Sequence, residues 1–135
     1  MLTIILSSFA GIMSMMLLDY IWLAKIAKSF YLEKLATHIT VENGGLVPYT
    51  PAIPLVYLVA IIGIWVFVIP KAHSVGSAFL IGALLGFIMY AFYDFTNLAT
   101  LKAYPWSLAV VDIIWGTILV GVVTAVTYFV HTLLA

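Results

Sequence analysis

The chain has 135 residues, 66% of them hydrophobic and 7% charged, whereas soluble domains run at about 45–50% and about 25%. Five lysines balance five acidic residues, and there is no arginine and no cysteine. This excludes a soluble domain, a disulfide framework or thiolate metal site, a basic nucleic-acid face and a bidentate arginine clamp on phosphate.

The first apolar run covers about Leu2 to Ala24. It lacks the positive start of a signal peptide and is too long for one, so a retained span is expected. The polar stretch "KIAKSFYLEKLATHITVENGG" follows, with Ile26, Phe30, Leu32 and Leu35 set among three lysines. That pattern suits an extension of the first helix, a helix lying in the membrane interface, or a plain connector. "NGGLVPYTPAIP", residues 43 to 54, is a turn-rich lead into a second run, about Ala52 to Ile69, closed by Pro70. A third run covers about Val75 to Leu98 and a fourth about Trp106 to Leu134. About 20 apolar residues cross a bilayer as a helix, and runs this continuous are not barrel strands. The expected fold is all-α: one four-helix membrane bundle over residues 1–135, with both termini on the same side.

Lys25, Lys28, Lys34 and Lys102 fall in the first and third loops, and Lys71 alone in the second. The positive-inside rule then puts the first and third loops in the cytoplasm and both termini outside. In the third helix Ala78, Gly82, Gly86, Tyr90 and Asp94 recur at every fourth position and share a face. The Gly82/Gly86 pair permits close approach of another helix, of the same chain or, as the alternative, of a second copy in a homo-oligomer.

Three carboxylates remain inside the spans. "LLDYIWLAK" carries Asp19 and "VVDIIWG" carries Asp112, both as Asp-x-x-Trp, and Asp94 lies near the end of the third helix. An ionised Asp at a helix centre costs roughly 2.5–3.5 kcal/mol on insertion scales. Helical rise places all three about 9–12 Å from the lysine-rich side, in one leaflet. Tyr20, Trp22, Tyr57, Tyr90, Tyr93, Thr96, Asn97, Thr100, Trp106 and Trp115 map to the same layer. The expected site is a polar pocket in the cytoplasmic leaflet, formed by Asp19, Trp22, Tyr57, Tyr90, Tyr93, Asp94, Thr96, Asn97, Thr100, Asp112 and Trp115. Its carboxyls suit acid–base work or proton coupling, or a cation among Asp19, Asp94 and Asp112. Its rings suit an apolar ligand. Trp106 reads as a belt residue, and Asp-to-Trp or Asp-to-Tyr bonds that merely lock helices are the structural alternative. No cofactor motif is present. His38, His73 and His131 are far apart and form no ligand set, so ordinary surface roles are expected.

The stretches "LDYIWL", "SFYLEKL", "YDFTNLATLKAYPW" and "VVDIIWG" together resemble a bacterial membrane family known as domain of unknown function 2177. The resemblance covers nearly the whole chain and departs from the family pattern in a longer connector, "ENGGLVPYTPAIP". It implies a four-helix protein of the bacterial inner membrane and assigns no activity. The matching hallmark positions are Asp19, Trp22, Tyr93, Asp94, Thr96, Asn97, Thr100, Asp112, Trp115 and Gly116. The function expected from the residues is binding of a membrane lipid or a small apolar or cationic ligand, with action on it left open. A proton- or cation-coupled transporter working as a dimer and an assembly factor without ligand are the alternatives.

Overall fold

A computed structural model describes residues 1–36 and 38–135, apart from the side chain of Leu46. Four stretches are long and apolar enough to cross a membrane: Leu2–Ile26, Thr50–Lys71, Val75–Thr100 and Trp106–Leu134. They match the four expected runs, each within two residues at either end. The helices are α1 (Leu2–Ile21), a short α2 (Lys28–Lys34), α3 (Ile53–Gly63), α4 (Val75–Thr100) and α5 (Trp106–Leu134). The last is central: 44% of its most apolar stretch is buried, against 17% to 22% for the other three.

Small residues set the packing, as they must where lipid is as apolar as leucine and close backbone approach replaces the hydrophobic drive. On α4, a Cβ placed on Gly82 would run into Thr124, and one on Gly86 into the backbone carbonyl of Gly116. Gly116 in turn leaves room for the ring of Tyr90, and Gly11 of α1 leaves room for Thr127. The Gly82/Gly86 face is therefore filled by α5 of the same chain. This bears out intramolecular packing and removes that face as the seat of a second copy. The face leads, as expected, to Asp94, which is 0% exposed.

Helix α3 lies more to the outside, with Leu55, Val59 and Ile62 exposed. A core of Met15, Ala60, Ile61, Ile64, Leu119 and Val123 joins it to α1 and α5. Beyond Gly63 the helix widens into a π turn, Ile64–Val68, and then tightens into Ile69–Lys71. Pro70 has no N–H to give the preceding turn, and such a gap in the ladder is a regular cause of local rewinding. The indole of Trp65 in this turn donates to Ser8 Oγ at 2.8 Å, which pins α3 to α1.

The first loop is more ordered than a plain connector. Helix α1 runs through a second π turn, Trp22–Ile26, where the Ala27 amide donates to the Trp22 carbonyl at 2.7 Å. The chain bends at Ala27 and continues as α2. Tyr31 and Ala27 pack with Leu108 of α5, so α2 folds back beneath the bundle. Residues 41 to 46 form a two-stranded hairpin, β1 (Val41–Glu42) and β2 (Gly45–Leu46). Asn43 and Gly44 both have positive φ, 50° and 71°, the conformation an Asn-Gly hairpin turn requires. The turn-rich lead expected from residue 43 onward thus opens with a hairpin turn at its Asn-Gly pair.

The packing yields a direct test. Gly86→Ala must push α4 away from the Gly116 backbone, a strain of about 1–3 kcal/mol. Its melting temperature in detergent is expected to fall, while Leu84→Ala, on the exposed side of α4, changes little. An unchanged melting temperature for Gly86→Ala would contradict the contact.

Candidate functional site

Each of the three intramembrane carboxyls accepts a hydrogen bond from a tyrosine on another element. Tyr57 of α3 donates to Asp19 Oδ2 of α1 at 3.5 Å. Tyr31 of α2 donates to Asp112 Oδ1 of α5. Tyr104, in the turn between α4 and α5, donates to Asp94 Oδ1 at 2.7 Å. These bonds link α3 to α1, α2 to α5, and the turn between α4 and α5 back to α4.

The two Asp-x-x-Trp motifs interlock across this layer. Trp22 and Trp115 stack with ring centroids 4.5 Å apart and planes inclined by 3°. Trp115, from the second motif, donates its indole N–H to Asp19 Oδ1 of the first at 3.2 Å. Trp22, from the first, donates to the Tyr31 hydroxyl at 3.3 Å, and that hydroxyl in turn donates a hydrogen bond to Asp112 of the second. Each tryptophan thus reaches the other motif's aspartate, one directly and one through a tyrosine. The shared depth deduced from helical rise is the depth at which they meet.

Asp94 and Asp112 come within hydrogen-bonding reach of each other. Asp94 Oδ2 is buried and has no donor. Two carboxylates in contact repel, and a single proton between them removes the repulsion and supplies the missing donor. Asp19 stands near this pair and lines one cavity with Asp112. Among the described residues no three acidic or histidine side chains converge enough to hold a metal ion. The arrangement is a pair plus one, so Asp19, Asp94 and Asp112 do not form one three-carboxylate ligand set.

Other expected site residues divide. Tyr90 packs its ring on Gly116 and faces the carboxyls, and Tyr93 stands at the rim, 60% exposed. Asn97 lies beside the Tyr104 hydroxyl, with its amide nitrogen buried and without a partner. Thr96 and Thr100 turn away: both are exposed, and their hydroxyls bond back to the Phe92 and Thr96 carbonyls. Their place in the expected site is corrected, because a helical threonine four residues from a carbonyl satisfies itself there. Trp106 also faces outward, as belt residues do, whereas Tyr20, though exposed, borders the larger of two cavities. His131 departs from a surface role. It is half-buried against the Trp65 ring, edge-on at 5.0 Å, and its Nδ1 is buried without a partner.

Two residues escaped the sequence reading, Tyr31 and Tyr104. Tyr31 falls on the apolar side of α2, four residues from both Ala27 and Leu35, and a strict hydrophobic count passes over it. Tyr104 follows Ala103, whose φ of 62° is a conformation costly for a residue with a Cβ, about 1–2 kcal/mol. That turn brings the Tyr104 hydroxyl back onto Asp94. Burial, then the neighbouring carboxyl, raises both hydroxyls above the usual tyrosine range.

Two cavities flank the layer and share Asp19, Leu23 and Tyr31 as a common wall. The smaller, about 270 Å³, is lined by the rings of Tyr31, Tyr90, Tyr93, Tyr104 and Trp115. Asp19 and Asp112 face it, with Leu23, Leu35 and Leu108. The larger, about 520 Å³, lies between α1, α2, the hairpin and α3, and its wall is largely apolar with Lys28 at one side. Gly45 and Pro48, from the longer connector, close it.

These features define a multi-pass helical membrane protein with a carboxyl–tyrosine layer near one membrane face. The chain belongs to the family described as "Predicted membrane protein (DUF2177)", whose model matches residues 4–129. No curated protein and no solved structure matches it.

The tyrosine bonds carry a pH signature. A hydroxyl whose folded pKa is raised stays protonated where the unfolded chain has already released its proton. Stability therefore falls as pH rises above the usual tyrosine value of about 10. Tyr31→Phe leaves Asp112 short of a donor and the Trp22 N–H without an acceptor, a loss of about 1–3 kcal/mol near neutrality. It is also expected to make the alkaline decline shallower, as read by unfolding in detergent between pH 7 and 11. A variant with wild-type stability and the same decline would contradict the bond.

Proposed function

We propose that this protein, seated in the bacterial inner membrane, binds a membrane lipid or small apolar ligand in a carboxylate- and aromatic-lined pocket of the cytoplasmic leaflet. One observation carries the reading: an apolar cavity and a polar, aromatic one share the wall of Asp19, Leu23 and Tyr31. That is the form of a site for an amphiphile, with hydrocarbon along one side and a few placed polar groups on the other. The four lysines of the first and third loops support the cytoplasmic orientation.

Intramembrane ionisable groups are costly and commonly mark a functional path. Locking helices alone would not need two cavities of this size beside the lock. The carboxyl pair also gives the site a place to hold or release a proton at Asp94 and Asp112, next to whatever is bound. That chemistry supports action on the ligand, and the tyrosine hydroxyls would orient it.

The test uses the shared wall. Leu23 borders both cavities and is 41% exposed, so Leu23→Trp fills the site without touching the hydrogen bonds. Native mass spectrometry of the purified chain is expected to show a retained lipid or small molecule in the wild type and its loss in Leu23→Trp. Equal retention in both, at equal melting temperature, would overturn the pocket as the site of binding.

A further inference from the structure

The smaller cavity says more about its occupant. Its wall combines two carboxyls, Asp19 and Asp112, with five aromatic rings, and it holds no basic side chain. Lys34 pairs with Glu33 on the exposed side of α2, outside the lining of this cavity. The chain supplies donors to these carboxyls, Tyr31 to Asp112 and Tyr57 and Trp115 to Asp19, while Lys28 lines only the larger cavity and puts no charge into the smaller one. A carboxylate withdrawn from water without a countercharge is neutralised or paired. Asp19 and Asp112 both line the cavity, so a cation bound there would meet two carboxyls at once.

The rings decide between kinds of cation. A metal ion needs several oxygens in place of its water, and among the described residues no three carboxylate or imidazole side chains converge to supply them. Aromatic faces cannot replace that shell, but they do attract alkylammonium ions, whose charge is spread over a greasy surface. Leu23, Leu35 and Leu108 complete the wall and suit the hydrocarbon part of such an ion. Resting on the pocket reading above, we infer that the ligand is an organic ammonium ion with an apolar body, its charge lying between Asp19 and Asp112 against the tyrosine and tryptophan rings. The ammonium can belong to a lipid headgroup or to a free lipophilic amine, and the chemistry of recognition is the same.

The experiment titrates the full chain in maltoside micelles with benzyltrimethylammonium and, in parallel, with neopentylbenzene, its uncharged carbon isostere. Tryptophan fluorescence and melting temperature report binding. The ammonium is expected to bind saturably and at least tenfold more tightly than the isostere. Asp19→Asn is expected to remove most of that preference, and Lys71→Gln, at the opposite membrane face, to keep it. Adding phosphatidylethanolamine to the micelles separates the sources: competition with the probe assigns the ammonium to a lipid headgroup, and undiminished binding assigns it to a free amine. Equal binding of the two probes would overturn the ammonium and leave the pocket as an apolar site. Binding of neither would also overturn it, and retention in the Leu23→Trp comparison then decides the pocket independently. Should Asp19→Asn fail to fold, the comparison of the two probes on the wild type stands by itself.

Discussion

The structure depends on the crossing of two identical spacings. Asp19 and Trp22 descend on α1, while Asp112 and Trp115 depart on α5, and the two tryptophans stack where the helices meet. A stack with planes 3° apart fixes both rings, and the fixed rings aim their N–H groups at Asp19 and Tyr31. In hydrocarbon, an unpaired carboxyl or indole N–H has no water to turn to. Each motif therefore satisfies the other, and neither helix can slide or rotate without stranding polar groups on both.

From that crossing the rest of the cytoplasmic end follows. Tyr31 can take the Trp22 N–H only if α2 turns back under α5, and the π turn at Trp22–Ile26 with the bend at Ala27 provides the turn. π turns recur at functional sites because the extra residue re-aims a side chain without ending the helix. The strained Ala103 has a parallel effect in the other loop, bringing Tyr104 back onto Asp94. The glycines of α4 and α5 let the two helices approach until Asp94 and Asp112 touch. What is left between these parts is the pair of cavities, walled by the groups that hold the helices in place. Scaffold and candidate site are thus the same residues.

The spans, their ends and the common depth of the three carboxyls were legible in the sequence, because 20-residue apolar runs and helical rise leave little freedom. The inward direction of Asp94 was legible from the glycine stripe. The loops were not. Tyr31 and Tyr104 sit where periodicity is short or absent, and their roles come from a π turn and a positive φ that no hydrophobic pattern encodes. Thr96 and Thr100 have the right depth but the wrong azimuth: depth arithmetic fixes height along a helix, not the face. His131 was misjudged for the opposite reason, since nearness to a chain end suggested a surface that the Trp65 ring in fact covers.

The central claim is that the two motifs act as one unit although Asp19 and Asp112 share no hydrogen bond. A double-mutant cycle of Asp19→Asn and Asp112→Asn, measured as unfolding free energy in mixed micelles, tests it most directly. Residues in one network couple by about 0.5–3 kcal/mol, whereas independent sites add within about 0.3–0.5 kcal/mol. The account predicts a coupling of about 1 kcal/mol or more, with the second substitution costing less than it does alone. Strict additivity would mean that each aspartate is held by its own neighbours and that the crossing does not bind them into a unit.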